Sequence, residues 1–112
     1  LNIKLEDGLT NSEKQILNKL DPPEQKNMLQ VLRNLGEGYR IVIIDSGICL
    51  LYDLQNGYDI EIEGGCDEKQ EFSIYLWENQ TRLLEIRHAK GISDLKFELD
   101  QLCEKYRFHI IQ

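Results

Sequence analysis

Nowhere does this sequence hold an apolar run approaching the ~20 residues that a membrane-crossing helix needs, and no signal-peptide pattern opens it. The chain starts on Leu1 rather than Met, so an earlier leader, initiator or neighbouring domain stays open, and with it secretion. Cysteine is scarce. Cys49, Cys66 and Cys103 are odd in number and include no CxxC, which argues against a disulfide framework and a structural zinc site. A reducing, cytoplasmic compartment is the simplest expectation.

Basic residues are in the minority, 13 against 20 acidic ones, for a net charge of −7. They are dispersed, and no basic stripe interleaves with aromatics. Nucleic acid and anionic membrane are therefore excluded as partners, whereas basic proteins or cations would be attracted. Metal-ligand spacing, a phosphate loop and a nucleophile elbow are all missing, so no catalytic residue, metal or cofactor is expected. A calcium loop places its oxygen ligands at a defined spacing that Asp53 to Glu63 does not match.

What is present is an ordinary globular composition, 41% hydrophobic and 29% charged, over 112 residues, which fits one domain spanning 1–112. Residues 1–9 alternate Leu1, Ile3 and Leu5 with polar neighbours, as a short strand or an extended arm would. A helical pair is expected over 10–36. Thr10 followed by Glu13 is a capping box, and Ile16, Leu17 and Leu20 supply an apolar side. Asp21 before Pro22 and Pro23 restarts the helix, Met28, Leu32 and Leu35 form its stripe, and Gly36 ends it.

Over 39–88 the pattern changes to period two: YRIVIID, GICLLYDL, YDIEIE, EFSIYLW and TRLLEIRH. Turn lengths follow from keeping one face apolar, since a one-residue slip inverts every side chain. A three-residue loop at Gln55-Asn56-Gly57 pairs Leu54 with Tyr58, Tyr52 with Ile60 and Leu50 with Ile62. The same reasoning closes the first hairpin at Asp45-Ser46-Gly47. It closes the last at Glu78-Asn79-Gln80, aligning Ile74 with Leu84 and Phe72 with Ile86. Gly64 to Gln70 is left as the one longer loop.

A helix over 93–107 follows, with Leu95, Leu99, Leu102 and Tyr106 on one face. Ser93 is its expected N-cap, and Ile92 is expected to staple against Phe97. Phe108 to Ile111 could add a terminal strand. The fold class is thus α+β: a mostly antiparallel five-stranded meander packed with an N-terminal helical pair and a C-terminal amphipathic helix.

Almost all the excess charge falls between Asp53 and Glu71, where seven acids face only Lys69, a net charge of −6. The register sets Asp53 opposite Asp59, with Glu61 and Glu63 running on from them along one face. That second face also receives Ser73, Tyr75, Trp77, Leu83, Glu85 and Arg87. Its acids alone could be a solvated edge whose carboxylates spread apart in water, and for the face as a whole two accounts compete. In the simpler one, the N-terminal helices cover it and Cys49 and Leu51 become core. In the other it is a docking surface, with Asp53, Asp59, Glu61 and Glu63 steering a basic partner and Tyr75 and Trp77 anchoring it.

Cys66, in an acidic loop, is a poor nucleophile, and neither His88 nor His109 is placed beside it. The expected role is a non-catalytic acidic protein-binding module, such as an inhibitor or immunity-type protein. The alternatives are a small-ligand-binding or enzymatic accessory domain of a longer protein, and a homodimer formed through the Trp77 face.

Overall fold

A computed structural model describes residues 8–54 and 57–106; the expectations for residues 1–7, for the loop residues Gln55 and Asn56 and for a terminal strand at Phe108–Ile111 lie outside them. The architecture is α+β. Helices α1 (Asn11–Leu17) and α2 (Pro22–Leu35) precede strands β1 (Tyr39–Ile44), β2 (Gly47–Asp53), β3 (Tyr58–Glu63), β4 (Glu71–Glu78) and β5 (Arg82–Lys90), and α3 (Ile92–Tyr106) follows them. The five strands form one antiparallel sheet in sequence order, β1-β2-β3-β4-β5. Among the described residues no helix is long and apolar enough to cross a membrane.

Local chemistry starts both N-terminal helices. The Glu13 backbone N–H donates to Thr10 Oγ1 at 3.1 Å while the Thr10 N–H donates to Glu13 Oε1 at 2.9 Å. A second reciprocal box joins Asp21 and Glu24, with prolines filling the first turn, where no intrahelical N–H bond is lost. Gly36, at φ +90°, ends α2 in a conformation that L side chains resist.

The first face of the sheet carries Ile41, Leu50, Ile60, Ile62, Phe72, Ile74 and Leu76. All are buried in a single cluster with Leu17, Met28, Val31 and Leu32 of the N-terminal helices and Leu95, Leu99 and Leu102 of α3. The simpler account of the second face is therefore overturned, because both helical units pack on the first. The physical reason is the sheet's own polarity: covering the other face would also take the exposed carboxylates Asp53 and Glu63 out of water, at high cost unless each were paired. Among the described residues, Val42, Leu51, Tyr75, Trp77, Leu83 and Ile86 of the second face have no place in that cluster.

The central register is as expected: Leu50 pairs with Ile62, Tyr52 with Ile60 and Asp53 with Asp59. The Leu54 N–H donates to the Tyr58 carbonyl at 3.0 Å. Two turns differ. The first hairpin closes in two residues, Asp45 and Ser46, both at positive φ, so that Ile44 pairs with Gly47. This is the mirror-image turn whose twist suits a tight hairpin. The last hairpin turns through Asn79, Gln80 and Thr81, pairing Glu78 with Arg82 and Trp77 with Leu83.

A β-bulge then skips Leu84, so Leu76 faces Glu85, Ile74 faces Arg87 and Phe72 faces Ala89, not the partners expected. One extra residue inverts the rest of β5. Glu85 and Arg87 leave the second face for the side under α3, and Ile86 and His88 take their places. Beneath the helix, Arg87 contacts Glu85 at 2.6 Å and Glu98 at 3.1 Å, and Lys105 contacts Glu85 at 3.0 Å. The Tyr106 hydroxyl also donates to Glu85.

These bonds, the tyrosine's foremost, hold the Glu85 carboxyl at about 2, below its ordinary value. Its stabilisation is complete above the unfolded carboxyl value of about 4.5 and disappears as pH falls through about 2. Acid titration of Glu85→Gln against the parent should show a stability gap of about 1–2 kcal/mol at neutral pH, reduced by solvent screening at this rim, that narrows below about pH 4.5 and closes as pH falls through about 2.

The start of α3 also differs. The helix begins at Ile92, after Gly91, whose carbonyl accepts from the Leu95 N–H at 3.0 Å, while Asp94 Oδ2 accepts from the Lys90 N–H at 3.0 Å. Ser93 is therefore inside the helix rather than its N-cap. Ile92 packs on the core and Phe97 is 56% exposed, so the expected staple between them does not form. With Ile92 already in the first turn, it no longer occupies the position before the cap that a staple requires.

Candidate functional site: the open acidic face

Three rows of side chains cross the second face. From β2 to β5 they read Asp53, Asp59, Trp77, Leu83; then Leu51, Glu61, Tyr75, Ile86; and finally Glu63, Ser73, His88 over the last three strands. All six residues expected to bind a partner, Asp53, Asp59, Glu61, Glu63, Tyr75 and Trp77, thus share one surface. Ile86 and His88 join them unforeseen. The signal for that lay in the adjacent Leu83 and Leu84, which break the alternation of β5.

Asp53 and Glu63 are exposed, but the two carboxylates between them are not the solvated fringe that strand acids usually form. Asp59 is 8% exposed and Glu61 7%, both in the central strand and flanked by larger side chains. Glu61 is held on both oxygens: Trp77 Nε1–H donates to Oε1 at 2.9 Å, and the Cys49 thiol lies 3.9 Å from Oε2. The Tyr75 hydroxyl donates to Glu63 Oε1 at 2.8 Å, and that bond is the first cause of its raised pKa. The two aromatics are thereby fixed against the acids.

Asp59 is different. Among the described residues no donor or cation pairs with it, and its direct neighbour across the sheet is another carboxylate, Asp53. Burial first, and the Asp53 charge second, push its pKa up. A raised acid penalises the fold only when ionised, so the penalty is absent below the unfolded value of about 4 and grows as pH rises past it. Asp59→Asn should therefore gain roughly 0.5 kcal/mol at neutral pH, the scale of a directly opposed pair, and nothing near pH 3. Urea unfolding at the two pH values measures the difference.

No ion pair among the described residues involves Asp59, Glu61 or Glu63. Arg40 is paired with Glu13, Arg82 with Glu78 and Arg87 with Glu85 and Glu98. Compared with family models, with curated proteins and with solved structures, the chain matches none. What the face can do must be read from its chemistry alone.

Cys49, Glu61 and Glu63 place their ligand atoms within 4.8 Å of one another, a set that could hold a metal ion. Burial, aided by the charges of Glu61 and Glu63, raises the Cys49 thiol to about 11, so it stays protonated at neutral pH. Both carboxylates already accept hydrogen bonds, and the set is best described as a hydrogen-bonded cluster.

Among the described residues the cysteine and histidine side chains do not converge, and His109 lies outside them. His88 Nδ1 lies 3.3 Å from Ser73 Oγ on the open face. Cys66 is half-buried against the core rather than exposed, its thiol raised by burial and by Glu24, and its carbonyl accepts from Asn27 Nδ2 at 3.0 Å. Cys103 packs against the core, whereas Cys49 is buried on the opposite face.

Proposed function

We propose that this chain is a non-catalytic acidic protein-binding module whose open sheet face docks a basic partner, in the manner of an inhibitor or immunity-type protein that masks a cationic site. The observation that supports this reading is Asp59: a buried carboxylate facing a second acid, with no cation from its own described residues. Such a group is relieved by a positive charge brought from outside. Around it, Trp77, Tyr75, Leu83 and Ile86 offer the apolar contact area that a charge row by itself lacks. Long-range attraction from the acidic face would speed encounter, and the aromatics would slow departure.

Charge also argues against a homodimer through this face. Two-fold symmetry would set each acid row against its own copy.

The test is affinity capture from the native source at low and at moderate salt. One cationic protein should be recovered and should be lost as ionic strength rises, since screening acts over about 10 Å at 0.1 M. A chain with Asp59, Glu61 and Glu63 replaced by Lys should recover none of it, and the neutral pair Asp59→Asn with Glu63→Gln, which preserves side-chain shape, should recover at least about tenfold less. Equal capture by the neutral variant, or capture indifferent to salt, would end this reading.

A further inference from the structure

We propose that the row Asp53, Asp59 and Trp77 is a subsite for one arginine side chain of the partner, which the face takes in preference to lysine. The proposal rests on the docking reading above and specifies the chemistry at its centre. Asp59 supplies the ligand-demanding group: nine-tenths buried, on the middle strand, and unpaired among the described residues. Asp53 stands directly across from it on β2 and Trp77 directly across on β4. Opposed side chains on one face have Cβ atoms about 4.5–5.5 Å apart, so two carboxylates and an indole fall within the span of a single planar cation.

The indole is already positioned, because its Nε1–H is committed to Glu61 at 2.9 Å. A ring held in this way loses little freedom on binding. Next along the row, Leu83 is 40% exposed and offers an apolar strip for the methylene stem of an incoming side chain.

The choice of arginine follows from what each cation must give up. An ammonium is compact and strongly hydrated, and entering a nearly buried site strips that water. A guanidinium is more weakly hydrated, directs five N–H donors in a plane, and lies flat against an aromatic ring while its edge bonds carboxylates. Two acids beside an indole suit the second cation. The chain's own strand arginines are engaged with Glu13, Glu78, Glu85 and Glu98, away from this row.

The experiment titrates the intact chain, at low ionic strength, with the capped tripeptide acetyl-Gly-Arg-Gly-amide and with its lysine counterpart. Trp77 is the sole tryptophan, so its fluorescence and its indole N–H resonance report on the row directly. The arginine peptide should shift both signals saturably with a Kd on the order of 1 mM, and the lysine peptide should bind at least about threefold more weakly. Asp59→Asn should weaken the arginine response about tenfold and Asp53→Asn by a smaller factor, while Glu68→Gln, in the loop outside the row, leaves it unchanged.

An equal response to both peptides, no saturable shift with either, or an arginine response untouched in both aspartate variants would overturn the subsite. Equal responses would still leave the acidic docking face standing. An arginine preference without salt-sensitive capture of a basic protein would retain the subsite and remove the docking reading.

Discussion

Glu13→Ala is expected to lower the unfolding free energy by about 3 kcal/mol. The Glu13 side chain is 4% exposed overall and ties α1 to the sheet edge: Oε1 accepts from the Thr10 N–H and Oε2 from the Ile41 N–H of β1, both at 2.9 Å. Burial acts against its charge, but the Thr10 and Ile41 donors and Arg40 outweigh it and hold the carboxyl below its ordinary value. Alanine removes a reciprocal cap, about 1 kcal/mol, and strands the Ile41 N–H at about 1–3 kcal/mol more. The Arg40 pair at 3.5 Å, largely exposed on the arginine side, adds little.

Chemical denaturation measures the loss, and Glu13→Gln separates its causes. Glutamine offers one acceptor oxygen in place of two, so roughly half the loss should return. A drop below about 0.5 kcal/mol for alanine would mean that water replaces the carboxylate and that α1 is not fastened through it.

Gly64→Ala should be at least as damaging, again by about 3 kcal/mol. Gly64 leaves β3 at φ +94°, and a Cβ there would overlap the Glu71 carbonyl oxygen and crowd Phe72 Cα. The left-handed conformation alone costs an L-residue about 1–2 kcal/mol, and the obstacle is backbone rather than a side chain that could turn away. Relief would require separating the ends of β3 and β4, the two strands that carry Asp59, Glu61, Tyr75 and Trp77. The tryptophan fluorescence of the variant should therefore change along with its unfolding midpoint. A midpoint within about 1 °C of the parent would contradict the close approach.

The two charged devices titrate in opposite senses. Glu85 and Glu13, held below their ordinary values, lose their stabilisation as pH falls through the acid range. Asp59, raised by burial and by Asp53, is relieved over the same range. The acid-sensitive contacts fasten helices to the sheet, whereas the acid-relieved one sits on the open face. On the proposed docking reading, mild acid should thus weaken the partner complex before it unfolds the chain.

Much of the architecture was legible from period and caps. Strict alternation in β3 allowed only one register with β2 that kept Leu50, Ile60 and Ile62 together, and that register in turn placed Asp53 against Asp59. Thr10 with Glu13 and Asp21 with the prolines marked both helix starts, because capping is a local contest for the first free N–H groups. The long loop and the apolar stripe of α3 followed from equally local signals.

The bulge at Leu84 was beyond that reasoning. Whether a strand carries an extra residue depends on what its later side chains meet, here Glu98, Lys105 and Tyr106 of α3, which are distant in sequence from most of the pairs they hold. Which face the helices cover was also undecided locally, since both faces had apolar residues to offer.

The sequence by itself determined the strands, their central register and the gathering of four acids onto one surface, because side-chain alternation is a property of the extended backbone. Only the tertiary structure decided that this surface stays free of the helices, that Glu85 and Arg87 leave it, and that Asp59 is buried on it without a cation among the described residues. Those outcomes turn on where apolar area and paired charge are satisfied across the whole molecule, and no single segment contains that information.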